Sequence, residues 1–241
     1  MEISPDATVY WEYGFVKINA TLVFTWAIMA FMTIVAWLVT RKPSTGPEIP
    51  RWQNAIEVIV TYIRNQLREI MNQEPTRYMY FVGTLFLFIS ISNLLVLLPP
   101  KVYQPPTGSL STTAALATCV FVAVPFYGIT EQGVRDYLKH YIQPTPLMLP
   151  FTIISELSRT LALAVRLFGN IMSGTLIGAI LLSLAPFFVP VIMNGFGLLI
   201  GQIHAYIFAV LAAVYIASAT KSFKREESKK EEQVREEREH G

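Results

Sequence analysis

One arginine, Arg166, stands in the middle of a long run of uncharged and mostly apolar residues. A guanidinium group is always charged in proteins, so it cannot lower the cost of leaving water by losing a proton. At the centre of a membrane span that cost is about 2.5 to 3.5 kcal/mol on insertion scales. A cation at such a position is therefore expected to have a function that offsets this cost. A fixed guanidinium is suited to controlling a second, mobile charge by electrostatics.

Further polar residues recur at helical spacing around Arg166. Counting in steps of 3.6 residues predicts that they share one side of a helix with it, whereas Leu161, Leu167 and Phe168 point elsewhere. A polar stripe of this kind can hold water or an ion beside the arginine. Its members are Thr152, Ser155, Glu156, Arg159, Asn170 and Ser173.

The distance along the helix decides which carboxylate Arg166 can meet. Glu156 lies about 15 Å away at 1.5 Å per residue, and Arg159, one turn from Glu156, is its better-placed partner. A structural salt bridge between Arg166 and Glu156 is the alternative that this distance disfavours. Since no other Asp or Glu occurs in the predicted spans, we expect the partner of Arg166 to come from another subunit. Small residues such as Gly169 and Gly174 would let a neighbouring backbone approach closely.

A second polar group occurs in the apolar sequence that follows. Gln202 and His204 are its most useful members, with Asn194 before them and Tyr206 after them. A lone histidine on a helix is commonly a satisfied structural residue, but its imidazole titrates near neutral pH and can also relay protons. Beside a helix that carries Arg166 we expect a role in an ion path.

The composition predicts that these residues are positioned by membrane helices. Of the 241 residues 53% are hydrophobic and 15% are charged, against roughly 25% charged in an average soluble domain. The net charge of +2, without a basic patch among exposed aromatics, argues against nucleic-acid binding. The single cysteine, Cys119, has no neighbours at metal-ligand spacing, so no metal site, internal disulfide or cofactor is predicted.

Apolar runs long enough to cross a hydrocarbon core of roughly 30 Å as helices occur at residues 18–40, 78–98 and 112–130. The longest apolar region, 149–220, is divided by Pro186 and Pro190 into two helices that should both be strongly tilted. We therefore predict an all-α integral membrane protein with about five membrane helices, the last two forming a long tilted hairpin. Residues 1–220 would be the membrane domain and 221–241 a charged cytoplasmic tail, either a solvated helix or a disordered end.

The charges beside the spans predict the orientation. Arg41 and Lys42 follow the first span directly, which places this end in the cytoplasm and the acidic N-terminus outside. Residues 42–77 then alternate charged and apolar side chains at helical spacing, which predicts an amphipathic helix at the cytoplasmic surface. Its apolar stripe consists of Ile56, Val60, Ile63 and Leu67.

The motif Arg166-Leu-Phe-Gly-Asn170 resembles the central motif of subunit a of the rotary F-type ATP synthases. Residues 141–150 resemble a loop of the chloroplast and cyanobacterial forms, residues 203–208 the family's last-helix motif, and segments 81–88 and 92–99 also fit. The resemblance covers roughly residues 10 to 220. It implies a membrane stator that lies against the rotating ring of c subunits and has no nucleotide site of its own. No Gly-rich phosphate loop of the Walker type occurs.

The resemblance also implies roles for individual residues. Arg166 would stand between two offset half-channels and face the ion-binding carboxylate of each passing c subunit, favouring release of its bound proton or cation. Implied partners are the c-ring, the peripheral-stalk b subunits and membrane lipid, in a bacterial inner or thylakoid-type membrane. The residues predicted to act in ion translocation are Arg166, Asn170, His204, Glu156, Arg159, Ser173 and Gln202.

Three positions depart from the family pattern. Thr175 stands where many members have a half-channel glutamate, and His204 where glutamine is usual. Before the third span, Ser109 and Ser111 occupy a stretch where an acidic residue is often found. These departures indicate a divergent branch, leave proton and sodium open as the coupling ion, and make Glu156 the remaining intramembrane carboxylate for the half-channel through which ions enter.

Two other classes of protein would also have such spans. A self-contained secondary transporter or channel often shows internal repeats and broken helices, but no repeat relates the two halves of this sequence. A structural membrane scaffold explains the spans and leaves the cost of Arg166 without a cause. Ion translocation beside a c-ring therefore remains the leading hypothesis.

Overall fold

Helices make up nearly all of the secondary structure in the computed structural model. It describes residues 6, 9–13, 16–41, 51–71, 75–98, 103–135, 137–138, 147–184 and 189–239. In chain order the elements are β1 (Val9–Tyr13), β2 (Val16–Asn19), α1 (Ala20–Thr40), α2 (Arg51–Met71), α3 (Thr76–Leu94), the 3-10 turns Leu95–Leu97 and Pro106–Gly108, α4 (Leu110–Gln132), α5 (Met148–Leu184) and α6 (Val189–Glu239).

Within the described residues, five helices are long and apolar enough to cross a membrane, which confirms the predicted all-α membrane fold. Each has the length and hydropathy that a hydrocarbon core of roughly 30 Å requires. The five spans are Ala20–Thr40, Thr76–Leu97, Leu110–Gln132, Leu149–Leu181 and Ile192–Thr220.

Two of these helices extend beyond the predicted apolar runs, and the charged residues near their ends pair with each other. Helix α3 begins at Thr76 and α4 ends at Gln132, so Arg77 and Glu131 lie inside them. Their side chains form an ion pair at 3.0 Å. Glu131, which lies just beyond the predicted run, thus belongs to the last turn of α4.

The last two helices are separated at the predicted place, between Leu184 and Val189. Helix α5 ends at Leu184 and α6 begins at Val189, and Pro186 lies outside the described residues. Pro190 lies in the first turn of α6, where a proline is tolerated because first-turn N–H groups lack helical partners. Pro190 therefore lies at the start of α6 and does not interrupt a helix. The predicted tail continues α6 as a helix to Glu239.

A β-hairpin, which the sequence did not predict, precedes α1. Strands β1 and β2 pair antiparallel, with Glu12 opposite Lys17 and Tyr13 opposite Val16. The first span consequently starts at Ala20 and not at residue 18. Because successive spans alternate in direction, one end of the bundle collects the hairpin, the start of α1, the end of α3 and the start of α4. We name this the hairpin end, and the opposite one, near Thr220, the tail end.

The core lies where α3, α4 and α6 meet, with α5 packed against α4 and α6. Small side chains on α6 let the neighbouring helices approach closely, as is common between membrane helices. The span of α1 is only 6% buried and lies at the margin of the bundle. Buried core residues include Val82, Leu85 and Ile89 of α3, Ala117, Val120 and Val124 of α4, and Ala205, Ala209, Ala212, Ala213 and Ile216 of α6.

The amphipathic helix α2 packs against α3 and α6. Of its predicted apolar stripe, Leu67 is buried and Ile63 is half-buried against Gly83, whereas Val60 is exposed. Tyr206 donates a hydrogen bond of 2.8 Å to Oε1 of Gln66, which ties α2 to α6. The end of the stripe near residue 60 thus faces away from the bundle.

Two glycines determine how α4 ends. Gly133 has φ 80°, a left-handed conformation that ends the helix without a Cβ penalty. At Gly128 a Cβ would lie 2.5 Å from Cε2 of Tyr137, so the ring can pack on the helix only because no side chain is present. The chain after α4 therefore folds back onto its last turns.

Candidate functional site

Arg166 lies on the exposed side of α5. The opposite side of the helix is buried through Leu163, Ala164 and Leu167, whereas Val165 and Arg166 point away from the bundle. Among the residues that the structure describes, none forms an ion pair or a hydrogen bond with the guanidinium of Arg166. The fixed cation is thus presented outward, as the helical count predicted.

The neighbouring polar residues do not pair in the expected way. Within the described part of the chain, Glu156 and Arg159 form no ion pair. The Arg159 guanidinium lies 5.5 Å from the centroid of the Tyr215 ring on α6, a cation–π distance. The expected Glu156–Arg159 pairing is corrected accordingly: the long Arg159 side chain reaches across to the next helix, where the aromatic face attracts it, and Glu156 is left half-buried.

The contact between Arg159 and Tyr215 fixes the relative depth of the two helices, which run in opposite directions. Arg166 is seven residues after Arg159 on α5, and Phe208 is seven residues before Tyr215 on α6, so these two residues lie at a similar depth. With equal rise per residue, Asn170 then lies at about the depth of His204. Both of these side chains are half-buried. One member of each predicted polar group, Asn170 and His204, therefore lies at the same level, on the hairpin-end side of Arg166.

The imidazole of His204 is oriented by its own helix. Its Nδ1 lies 2.9 Å from the carbonyl oxygen of Ile200. A carbonyl oxygen can only accept, so Nδ1 carries the hydrogen and Nε2 of the neutral ring holds the lone pair. That nitrogen is the atom at which His204 can take up a proton. Ser173 and Thr175 bond backwards to carbonyls of their own helix, at 3.1 and 2.9 Å.

Gln202 is held against α3 by two hydrogen bonds. Ser90 donates from Oγ to its Oε1 at 2.5 Å, and Gln202 donates from Nε2 to the Ser90 carbonyl at 2.9 Å. The pairing fixes the amide between α3 and α6, which carry the second and the last of the described spans. The sequence analysis identified Gln202 but missed Ser90. A serine within an apolar span could have indicated a polar contact between helices.

A buried polar contact lies one step nearer the hairpin end. Asn93 donates from Nδ2 to the carbonyl of Gly201 at 2.7 Å and accepts from Thr107 at 3.2 Å. A Cβ at Gly201 would lie 3.2 Å from Asn93, so the glycine lets the amide approach the α6 backbone. Sequence analysis missed all three residues.

The loop after α3 closes this end of the bundle. Tyr103 is buried and donates from its hydroxyl to the Ser92 carbonyl at 2.9 Å. Burial raises the pKa of Tyr103 well above its ordinary value, so the hydroxyl stays neutral and remains a donor at any physiological pH. Thr107 and Ser109 are completely buried beside it.

A separate group of polar contacts lies at the tail end. Gln132 donates from Nε2 to the Ala219 carbonyl at 2.5 Å, and Tyr78 lies beside both Glu131 and Thr220. Together with Arg159 over Tyr215, these contacts follow α6 on the other side of Arg166. Polar side chains thus reach towards both ends of the bundle from the level of the arginine.

The exposed face of α5 is also open beside Arg166. A Cβ placed at Gly169, Gly174 or Gly178 would meet no atom within 4 Å. Both small residues singled out from the sequence, Gly169 and Gly174, therefore leave room for a neighbour. Arg166 is reachable by a helix that approaches from outside the bundle.

Known proteins similar to this chain share one description. The family described as ATP synthase A chain matches residues 22–217. The chain is 56% identical over 224 residues to "ATP synthase subunit a" of Albidiferax ferrireducens, covering 93% of this chain and 96% of that protein. It is 60% identical over 219 residues to "ATP synthase subunit a 2" of Picosynechococcus sp., covering 91% and 93%, and 56% identical over 218 residues to "ATP synthase subunit a 1" of Crocosphaera subtropica, covering 90% and 94%.

Proposed function

The chain belongs to the ATP synthase A chain family and is an ion-translocating stator subunit of the F-type membrane sector, and we propose that Arg166 is the residue at which ions leave and rejoin the rotor. The observation that carries this proposal is the outward-facing Arg166 guanidinium, which has no ionic partner among the described residues. Its insertion cost is offset only if a carboxylate of another subunit reaches it. The rotating c-ring is the partner that would bring one carboxylate after another.

Arg166 would act by electrostatics and not by forming a bond. When a c-subunit carboxylate faces the guanidinium, the charged form of that carboxylate is favoured and its proton or cation is released. When the ring carries the carboxylate on into lipid, neutralisation becomes favourable. Because a guanidinium cannot lose its own proton, ions cannot pass along α5 across Arg166 without the rotor. Because this role requires no bond to form or break, the chain itself would catalyse no covalent chemistry.

Polar side chains on either side of Arg166 support two separate half-channels. Towards the hairpin end we assign Asn170, Ser173, His204 and Gln202, which approach the Asn93–Gly201 contact. Towards the tail end, Glu156 and Arg159 lie near the polar contacts around Thr220. Each set would deliver water or ions to one side of the arginine only.

The orientation follows from the charges beside the spans. Arg41 ends the first span and lies over the Trp37 ring at 4.7 Å, as expected for a residue at the membrane surface. We propose that the hairpin end faces outward and the tail end faces the cytoplasm of a bacterial cell. The helix that continues past Thr220 would then extend towards the peripheral-stalk b subunits.

Reconstitution tests this proposal against a self-contained transporter. We expect the purified chain alone in liposomes to conduct neither protons nor sodium, because Arg166 leaves the half-channels disconnected. Liposomes with the complete ATP synthase should show ATP-driven ion uptake. Ion flux through the isolated chain at a rate comparable to the complex would contradict the rotor-dependent mechanism and favour a transporter.

The orientation of His204 predicts a measurable role in transport. Replacing His204 by alanine removes the Nε2 lone pair and should slow ATP-driven pumping by about tenfold, below the roughly 100-fold or more that a general acid contributes to covalent chemistry. The pH dependence of pumping should also change. Ile203→Ala, an exposed neighbour on the same helix, is the matched control. An unchanged pH profile in the His204 variant would mean that the ring is structural.

A further inference from the structure

Asp6 brings a carboxylate to the hairpin end of the bundle. Thr21 of α1 donates from Oγ1 to Asp6 Oδ1 at 2.6 Å, and Ser109 before α4 donates from Oγ to Oδ2 at 2.5 Å. Ser109 also shares a hydrogen bond of 2.6 Å with Ser111. Thr21 and Ser109 are buried, whereas Asp6 is half-buried and keeps access to solvent. One carboxylate therefore joins the N-terminal segment, α1 and α4.

This arrangement supplies a charge that the local sequence lacks. The stretch before α4 offers only the hydroxyls of Ser109 and Ser111, and no carboxylate was expected there. The acid comes instead from a segment more than one hundred residues earlier in the chain. A search for acidic residues near the third span could not find it.

Two buried oxygen atoms towards the same end of the bundle have no hydrogen-bonding partner among the described protein groups. Within the described residues, Oδ1 of Asn19 and Oγ of Ser92 are buried and have no hydrogen-bond partner. Ser92 is completely buried, and Asn19 lies two positions before Thr21 on the chain. A buried oxygen atom without a protein partner is expected to bond to water or to a cation.

Polar groups continue from Asp6 into the bundle. Ser109 accepts at its carbonyl from Thr113 and follows Thr107, which donates to Asn93. Asn93 contacts the Gly201 backbone, and the next residue of α6 is Gln202, paired with Ser90. The level of His204 and then of Arg166 comes next along α6 and α5. The hydroxyls and amides thus lead from the solvent-accessible carboxylate towards the arginine.

We propose that Asp6 captures the coupling cation at the outer mouth of the half-channel that begins at the hairpin end. The proposal rests on the stator function of this chain and adds a site to it. A carboxylate flanked by hydroxyl oxygen atoms suits a proton carried by water or a sodium ion. Besides Asp6, the titratable residues described at this end are Glu12 and Lys17, opposite each other in the hairpin, and Tyr103, whose raised pKa keeps it neutral.

The test uses the complete ATP synthase with Asp6→Asn, reconstituted so that ATP synthesis is driven by an imposed ion gradient. Sodium is varied at fixed pH, and pH at fixed sodium, on the side opposite the catalytic head. Losing one charge-assisted contact to the cation should raise the half-saturating concentration of the driving ion about tenfold or more. The maximal rate at saturating ion should stay near that of the unmodified enzyme. The coupling ion is the one whose half-saturating concentration rises in the Asp6→Asn enzyme.

Two further variants separate capture from a structural role. Asp6→Glu retains the charge and should largely restore the half-saturating concentration, and Ser111→Ala, which leaves both bonds to Asp6 in place, should change it little. An equal loss of rate at every ion concentration, with less assembled complex, would mean that Asp6 only anchors the N-terminal segment. Unchanged ion dependence would also overturn the proposal. Either result leaves the stator function standing, because ATP-driven pumping by the unmodified complex measures that function independently.

Discussion

Replacing Arg166 by alanine should abolish coupled transport in the assembled complex, lowering both ATP synthesis and ATP-driven pumping at least about 100-fold. The magnitude follows from removing one partner of a desolvated charge pair, which costs about 2 to 5 kcal/mol, and about 2.7 kcal/mol corresponds to 100-fold in rate. No other described cation occupies the exposed face of α5 at this depth, since Arg159 is held over Tyr215. The measurement is ion uptake driven by ATP in proteoliposomes.

Three comparison variants make the Arg166 result specific. Val165→Ala changes an exposed neighbour without touching a charge and should pump normally. Arg166→Lys retains the charge but loses the planar guanidinium, so we expect only a small recovery. Arg159→Ala should be less damaging than Arg166→Ala because its side chain lies on the tail-end side, against an aromatic ring. ATP-driven pumping retained by Arg166→Ala would contradict the proposed site.

The membrane architecture could be predicted from sequence because hydrophobicity and length determine it locally. The spans and the division of the last apolar region into two helices depend on residues close together in the chain. The errors at the span ends involve residues that an apolar run does not include. The α3 and α4 helices extend past the apolar runs to include Arg77 and Glu131, whose pairing across 54 residues no apolar run can show.

The interior contacts of the candidate site could not be predicted because they join distant parts of the chain. Ser90 and Gln202 are 112 residues apart, and Asp6 and Ser109 are 103 apart. Helical spacing says which residues share a face, but not which residue of another helix meets that face. For the same reason Arg159 was matched to Glu156, its neighbour in sequence, and not to Tyr215.

Replacing Asn93 by leucine should destabilise the packing of α3 against α6 by about 2 to 4 kcal/mol. The new side chain has a similar volume but cannot bond to the Gly201 carbonyl or to the Thr107 hydroxyl. Each buried group left without its partner costs about 1 to 3 kcal/mol, and Thr107 is completely buried. We expect a lower thermal midpoint for release of this subunit from the purified complex, together with reduced pumping.

Matched variants show whether the Asn93 effect arises from these hydrogen bonds. Leu94→Ala alters the adjacent, exposed residue and should leave the midpoint unchanged. Thr107→Val removes one of the two bonds and should lower the midpoint less than Asn93→Leu does. Gly201→Ala places a Cβ 3.2 Å from Asn93 and should displace the same amide from the other side. Combining Asn93→Leu with Gly201→Ala should then cost less than the two changes added separately, because both act on one contact; strict additivity would mean that the amide does not hold α3 to α6.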